Sequence, residues 1–234
     1  MNDHVTVVEP VYGVPLIGCD DRYEDRATAG RHLATFLGRF RGGHAIVLAL
    51  PPGGVAVAGE LARSLRLQLD VLVVREFRVR ANPVIVAGAV GEAGGLCLNG
   101  AAIRYSGITP HALWEAALHE QALIAHLVRR YRRERPLPLS NRRPVILVDD
   151  GMHSGLAQLA ALQALRHYHP PACIIATPRA HPTALRRITP WADQVVALDD
   201  HASTRADDID GWQTSLGDDD ATILLDRYRL HTEI

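Results

Sequence analysis

The chain contains no lysine: all 25 of its basic residues are arginine. That excludes a P-loop, whose Gly-Lys-Ser/Thr needs the lysine to reach phosphates, and it excludes Schiff-base or pyridoxal chemistry. Cysteine is scarce as well. Cys19, Cys97 and Cys173 form no Cys-x-x-Cys pair, and the last two lie in apolar runs where a reduced core thiol is expected, so the cytoplasm is the natural compartment. No apolar run approaches the roughly 20 residues of a membrane span. Residues 1–10 carry acids and no basic n-region, so no signal peptide is expected there. Neither sign of charge dominates, and a formal net charge of −1 gives no global reason to expect a nucleic acid or an anionic membrane as partner.

What remains is the composition of a folded domain. A chain of 234 residues, 47% hydrophobic and 22% charged, can bury one good core, and a single domain over 1–234 is the simplest reading. Residues 24–40 carry Leu33, Phe36, Leu37 and Phe40 at helical spacing, with Gly42 as a stop. Residues 45–50 and 69–74 are short apolar runs of the kind found in strands buried on both faces. Residues 55–65 have helical spacing, and 85–90 with 96–98, around Gly94-Gly95, resemble a hairpin. Thr109-Pro110 is a cap followed by proline at the first helical position, opening a helix to about Arg133 with Leu113, Ala117, Ile124, Leu127 and Tyr131 inward. That apolar face serves either a homodimer or the chain's own sheet. Strand and helix then alternate over 145–148, 154–168, 172–177, 181–188 and 194–198. The pattern predicts an α/β fold, a mostly parallel sheet flanked by helices. Ligands in such sheets bind beyond the carboxyl ends of the strands, where both glycine-bearing turns, 51–54 and 150–155, fall.

Residues 145–155, Val-Ile-Leu-Val-Asp-Asp-Gly-Met-His-Ser-Gly, carry the chemistry. Two acids at a strand's carboxyl end, Asp149 and Asp150, can accept hydrogen bonds from a vicinal diol or hold a divalent cation. The backbone N–H groups of Gly151, Met152, His153, Ser154 and Gly155, at the start of a helix, suit a phosphate. A diol and a phosphate a few ångströms apart describe a ribose 5-phosphate. The bland alternative is an acid pair that caps the next helix. An apolar strand, two acids, three variable residues and Ser-Gly resemble the signature of the type I phosphoribosyltransferases, which usually has Thr-Gly; serine keeps the hydroxyl. The resemblance covers about residues 20–200, with supporting matches at 50–54 and 71–90.

The resemblance implies transfer of ribose 5-phosphate from phosphoribosyl pyrophosphate (PRPP), with Mg²⁺, to a nucleobase-like nitrogen acceptor. It also implies a small hood or lid from the N- and C-terminal segments, the latter at 201–234. Asp149 and Asp150 would grip the ribose hydroxyls directly or through metal-bound water, and Ser154 with the loop backbone would hold the 5-phosphate. Pro52, Gly53 and Gly54 match the pyrophosphate turn, usually Pro-Arg-Gly-Gly in the bacterial branch, although a plain turn would look the same. Arg75 is expected to face pyrophosphate, and Trp212 to stack on a planar base.

Three positions depart from the family. Pro52 offers neither the charge nor the N–H of the usual arginine. Glu76 replaces lysine, a charge reversal worth about 1–4 kcal/mol per contact. Ala157 replaces a threonine that bonds phosphate. Arg75, Arg78 and Arg80 could compensate from a mobile segment over 77–83. His153 stands where purine-salvage members carry aspartate; it either exchanges a proton with the base or faces solvent. The run 129–133 is a basic helix end, read as a solvated face ahead of an RNA-binding stripe. The three departures weaken the phosphate side together, which keeps open a second reading: a weak or inactive family member that binds PRPP or a nucleotide as a regulatory ligand.

Overall fold

The structure, a computed structural model, describes residues 25–79, 82–133, 135–199, 212 and 215–230. Its centre is a five-stranded parallel sheet: β1 (Ile46–Ala49), β2 (Gln68–Val71), β6 (Val145–Val148), β7 (Cys173–Arg179) and β8 (Gln194–Asp199), in the order β2-β1-β6-β7-β8. All four residues of β1 and of β6 are buried, as continuous Val/Ile/Leu runs require of strands covered on both faces. Side-chain alternation divides the core. Val47, Ala49, Ile146 and Val148 face one way, toward α1 (Arg26–Phe36) and α2 (Gly54–Leu65). Ile46, Leu48, Val145 and Leu147 face the other way, toward α5 (Leu156–Arg166) and α6 (Pro182–Ile188). The fold class read from the sequence is the one observed.

A second, antiparallel sheet of β3 (Val74–Val79), β4 (Asn82–Gly91) and β5 (Leu96–Leu98) stands beside the first. It lies between α4 (Pro110–Arg132) on one side and α5 on the other, with the short α3 (Gly100–Ser106) after β5. Thr109 caps α4 as expected, its hydroxyl accepting from Ala112 N–H at 3.2 Å. The helix buries Ala117, Ile124, Leu127 and Tyr131, while Trp114 and Leu118 stay exposed on its outer side.

Three elements differ from the sequence reading. The run 69–74 is not one strand: β2 ends at Val71 and β3 begins at Val74. Between them Val73 N–H donates to Glu92 Oε1 at 2.8 Å, and Val71 C=O accepts from Arg132 at 3.1 Å. A buried Glu92–Arg132 ion pair therefore fixes the chain where it leaves the first sheet. Second, the segment expected to be mobile is strand on both sides, to Val79 and from Asn82, because Phe77 is buried and pairs across to Gly88. Arg80 lies outside the described residues. Third, the C-terminal segment expected as part of a lid carries a helix. Asp218, Asp219 and Asp220 form the first turn of α7 (Asp218–Leu230), where negative charge suits the helix dipole. The expected hood segments, residues 1–24 and most of 200–217, lie outside the described residues, as does Cys19.

Three arginines of the basic run at the end of α4 are paired within the protein. Arg132 pairs with Glu92, Arg130 with Asp219 and Arg133 with Asp226. Among the described residues, no helix is long and apolar enough to cross a membrane.

Candidate active site

The central strand β6 delivers Asp149 and Asp150 to the carboxyl edge of the sheet. Asp149 is still tied to that sheet, its N–H donating to Ala176 C=O at 3.2 Å. Its Oδ1 accepts the Asp150 N–H at 2.9 Å, and its Oδ2 accepts from the side-chain amide of Gln158, in the first turn of α5. Withdrawal from water, and then the negative charges of Asp150 and Glu76, hold the Asp149 carboxyl well above the usual carboxylate range. The two acids are thus unlike. Asp150 is paired, its Oδ2 accepting from Arg26 Nε at 2.8 Å.

Arg26 belongs to a cluster over the acid pair. Its guanidinium lies 4.9 Å from the centre of the Trp212 ring, and that of Arg179, at the end of β7, lies 5.6 Å from it. The indole N–H of Trp212 donates to the Asp150 carbonyl at 3.1 Å. Trp212 is therefore at the site, held between two arginines.

The loop after Asp150 turns into α5 through Gly155, whose φ of +74° is left-handed; a Cβ there would also lie 3.2 Å from Ile188 and 3.3 Å from Ala184. Met152 is fully buried, its N–H donating to Arg179 C=O at 2.9 Å and its C=O accepting from His181 N–H at 2.8 Å. Met152 anchors the loop and is not brought to the cleft. Among the described residues the N–H groups of Gly151, Ser154 and Gly155 have no acceptor. Ser154 donates its hydroxyl to Glu76 Oε1 at 2.6 Å and accepts the Leu156 N–H at 3.1 Å. Its carbonyl accepts from Arg187 of α6.

Gly151, His153 and Ser154 open on a cleft of about 510 Å³ between this loop and the β3–β4 hairpin, together with Asp149, Ala157 and Gln158. The hairpin contributes Glu76, Arg78, Ile85 and Val86, and Asn99 closes the end. Strand alternation explains which charges arrive: Glu76 and Arg78 share one face of β3. Arg75 points to the other, where its Nε donates to Glu120 of α4 at 2.9 Å, and it does not line the cleft.

The turn 51–54 lies against the acid pair and outside the cleft lining. The Pro51–Pro52 bond is cis. Gly53 has an ordinary helical φ of −63°, so close approach, and not backbone freedom, explains glycine there. A Cβ on Gly53 would sit 1.9 Å from Asp150 Oδ2, and one on Gly54 would sit 2.8 Å from Val148 C=O.

Sequence reasoning missed Arg26, Arg179, Asn99 and Gln158. Gln158 had a legible signal, since it sits on the first turn of the helix that opens the loop. Arg26 had none, being 124 positions from Asp150. Among the described residues, no three His, Cys, Asp or Glu side chains are grouped to hold a metal ion.

The family model described as phosphoribosyl transferase domain matches residues 21–208. Two curated relatives, "Putative phosphoribosyl transferase Rv0571c" and "Putative phosphoribosyl transferase MT0597" of two Mycobacterium tuberculosis strains, are each 37% identical over 177 residues, 75% of this chain. The chain spans only 40% of the length of these relatives. Among solved structures, TT1426 from Thermus thermophilus is 35% identical with a TM-score of 0.70, covering 89% of this chain and 99% of its own.

Proposed function

The chain belongs to the phosphoribosyl transferase domain family, and on that premise we propose that it moves ribose 5-phosphate from PRPP to a nucleobase-like nitrogen acceptor, releasing pyrophosphate. One observation carries the reading: a strand-end acid pair beside a loop whose Gly151, Ser154 and Gly155 amides lack acceptors among the described residues, with Asp149, Gly151 and Ser154 lining a cleft of about 510 Å³. Departure of pyrophosphate builds positive charge at the anomeric carbon and negative charge on the leaving group, so the protein's work is positioning and electrostatics. Asp149 and Asp150 hold the ribose hydroxyls. Loop amides and the Ser154 hydroxyl hold the 5-phosphate. His153, in the cleft lining, exchanges a proton with the acceptor nitrogen. Arg78 is the cleft's cation toward the leaving group, since Arg75 is engaged by Glu120.

Magnesium suits this donor set. Asp149 and Asp150 would hold it through water, in keeping with an ion that takes one or two protein carboxylates alongside substrate phosphates. When bound it neutralises charge on the departing pyrophosphate.

The test is base-dependent pyrophosphate release from PRPP and Mg²⁺ across a panel of purines and pyrimidines. His153→Ala should lose turnover and keep ribose 5-phosphate affinity; equal turnover would end its catalytic role. A second reading, a regulatory protein that binds PRPP or a nucleotide, draws on Glu76 at the Ser154 hydroxyl and on Pro52, which brings no cation to the turn. Saturable PRPP binding without pyrophosphate release from any base would select it.

A further inference from the structure

The anion already at the proposed phosphate loop belongs to the protein. The Ser154 hydroxyl, which a ligand phosphate would use, donates to Glu76 Oε1 at 2.6 Å. Glu76 reaches it from β3, with Phe77 buried beneath and Arg78 two residues along on the same face. Asp149 lines the same cleft as Glu76, so two carboxyl groups stand beside the loop. Of the remaining charged or titratable groups, His153 lines the cleft and Arg187 is spent on the Ser154 carbonyl. A phosphate arriving at the start of α5 therefore meets a negative neighbour that already owns its hydroxyl donor.

We propose that Glu76 is a specificity-determining residue, an internal anion that competes with ligand phosphate for Ser154 and lowers the cleft's preference for phosphorylated over unphosphorylated sugars. The inference rests on the reading of 151–155 as a phosphate loop. On binding, the carboxylate must leave Ser154. Two like charges about 4 Å apart at surface-like dielectric correspond to a penalty of up to roughly 1,000-fold in affinity.

Calorimetric titration of the intact protein with ribose 5-phosphate and with ribose tests this in wild type, Glu76→Gln and Glu76→Ala. Glutamine keeps the shape and an acceptor, so folding is retained; alanine removes both. Both variants should bind ribose 5-phosphate at least about tenfold tighter, with ribose affinity unchanged. Equal ribose 5-phosphate affinity in all three proteins overturns the role of Glu76 and leaves the site intact. A parallel gain for ribose also overturns it, because the effect would not be one of phosphate. Absence of ribose 5-phosphate binding in every protein overturns both the role and the site. Tighter binding without base-dependent pyrophosphate release supports the role of Glu76 and removes the transferase.

Discussion

Replacing Gly53 and Gly54 by alanine, one at a time, should separate damage to the site from damage to the fold, because the two glycines abut different parts of the same strand end. A Cβ on Gly54 would lie 2.8 Å from the Val148 carbonyl oxygen and 3.3 Å from the Asp149 Cα, both backbone. That carbonyl also accepts the Leu50 N–H at 2.8 Å, which ties the turn to β6. Relief therefore needs the turn to move off β6 and stretch that bond. Overpacking costs about 1–3 kcal/mol and a weakened hydrogen bond about 1 kcal/mol. At about 2–4 °C per kcal/mol for a chain of this size, Gly54→Ala should lower Tm by roughly 4–16 °C. The atoms nearest a Cβ on Gly53 are those of a carboxylate, 1.9 Å to Asp150 Oδ2 and 2.3 Å to its Cγ. Rotation of Asp150 relieves it, at the cost of the part-buried pair with Arg26. Stability should fall by about 1 kcal/mol, while ribose 5-phosphate affinity falls more than tenfold because an acid of the pair has been turned away. Thermal melts and calorimetric titration of both variants decide the matter. Ligand affinity in Gly53→Ala equal to wild type, or a wild-type melt for Gly54→Ala, would show that the turn does not press on β6 as described.

Three further outcomes follow from the same geometry. Because the Asp149 carboxyl is held above its ordinary range, chiefly by burial, its stabilising effect is fully present below the ordinary carboxylate pKa and is lost as pH rises through the raised value. Asp149→Asn should therefore melt higher than wild type at neutral pH, with the gap closing toward pH ~4; parallel melting curves across that range would contradict the assignment. Glu92→Ala leaves Arg132, only 4% exposed, without its carboxylate. It should lose about 3–5 kcal/mol in denaturant titration with cleft binding unchanged in the folded protein. Trp212 is half-buried between two arginines, whereas Trp114 and Trp191 are exposed. Ligand should change indole fluorescence in wild type and leave it unchanged in Trp212→Phe; a response retained in that variant would place the ligand elsewhere.

The parts of this fold that were legible from sequence are those whose determinants lie within a few residues of one another. Strand β6 was read to the residue, because Val145–Val148 is apolar throughout and stops at two acids. The helix α4 was legible from a cap and proline at one end and a 3.6-residue apolar period along it. Strand β3 was hidden by Arg75, Glu76 and Arg78, which look like a solvated segment until Glu120 is found to satisfy Arg75 and β4 to pair with the backbone. Met152 looked like one more backbone donor for phosphate, but a bridge to Ala180 uses its N–H, and only the packing of β7 against β6 creates that bridge. Arg26 and Arg179 meet Trp212 through tertiary structure alone.

Glu76 shows why the difference between the two kinds of information matters. By the family pattern it is a missing cation, and the remedy for a missing cation is lysine. In the structure it is an acceptor that has been gained, seated on the Ser154 hydroxyl, and the remedy for an unwanted acceptor charge is neutralisation. The two accounts part on Glu76→Gln, which restores no positive charge. Under the first account glutamine should leave phosphate affinity nearly as weak as in wild type, and only Glu76→Lys should raise it. Under the second, glutamine should recover most of what lysine recovers, because removal of the repulsion is common to both and a neutral amide oxygen holds the Ser154 hydroxyl less strongly than a carboxylate. A titration in which lysine improves ribose 5-phosphate binding and glutamine does not would return Glu76 to the status of a lost contact.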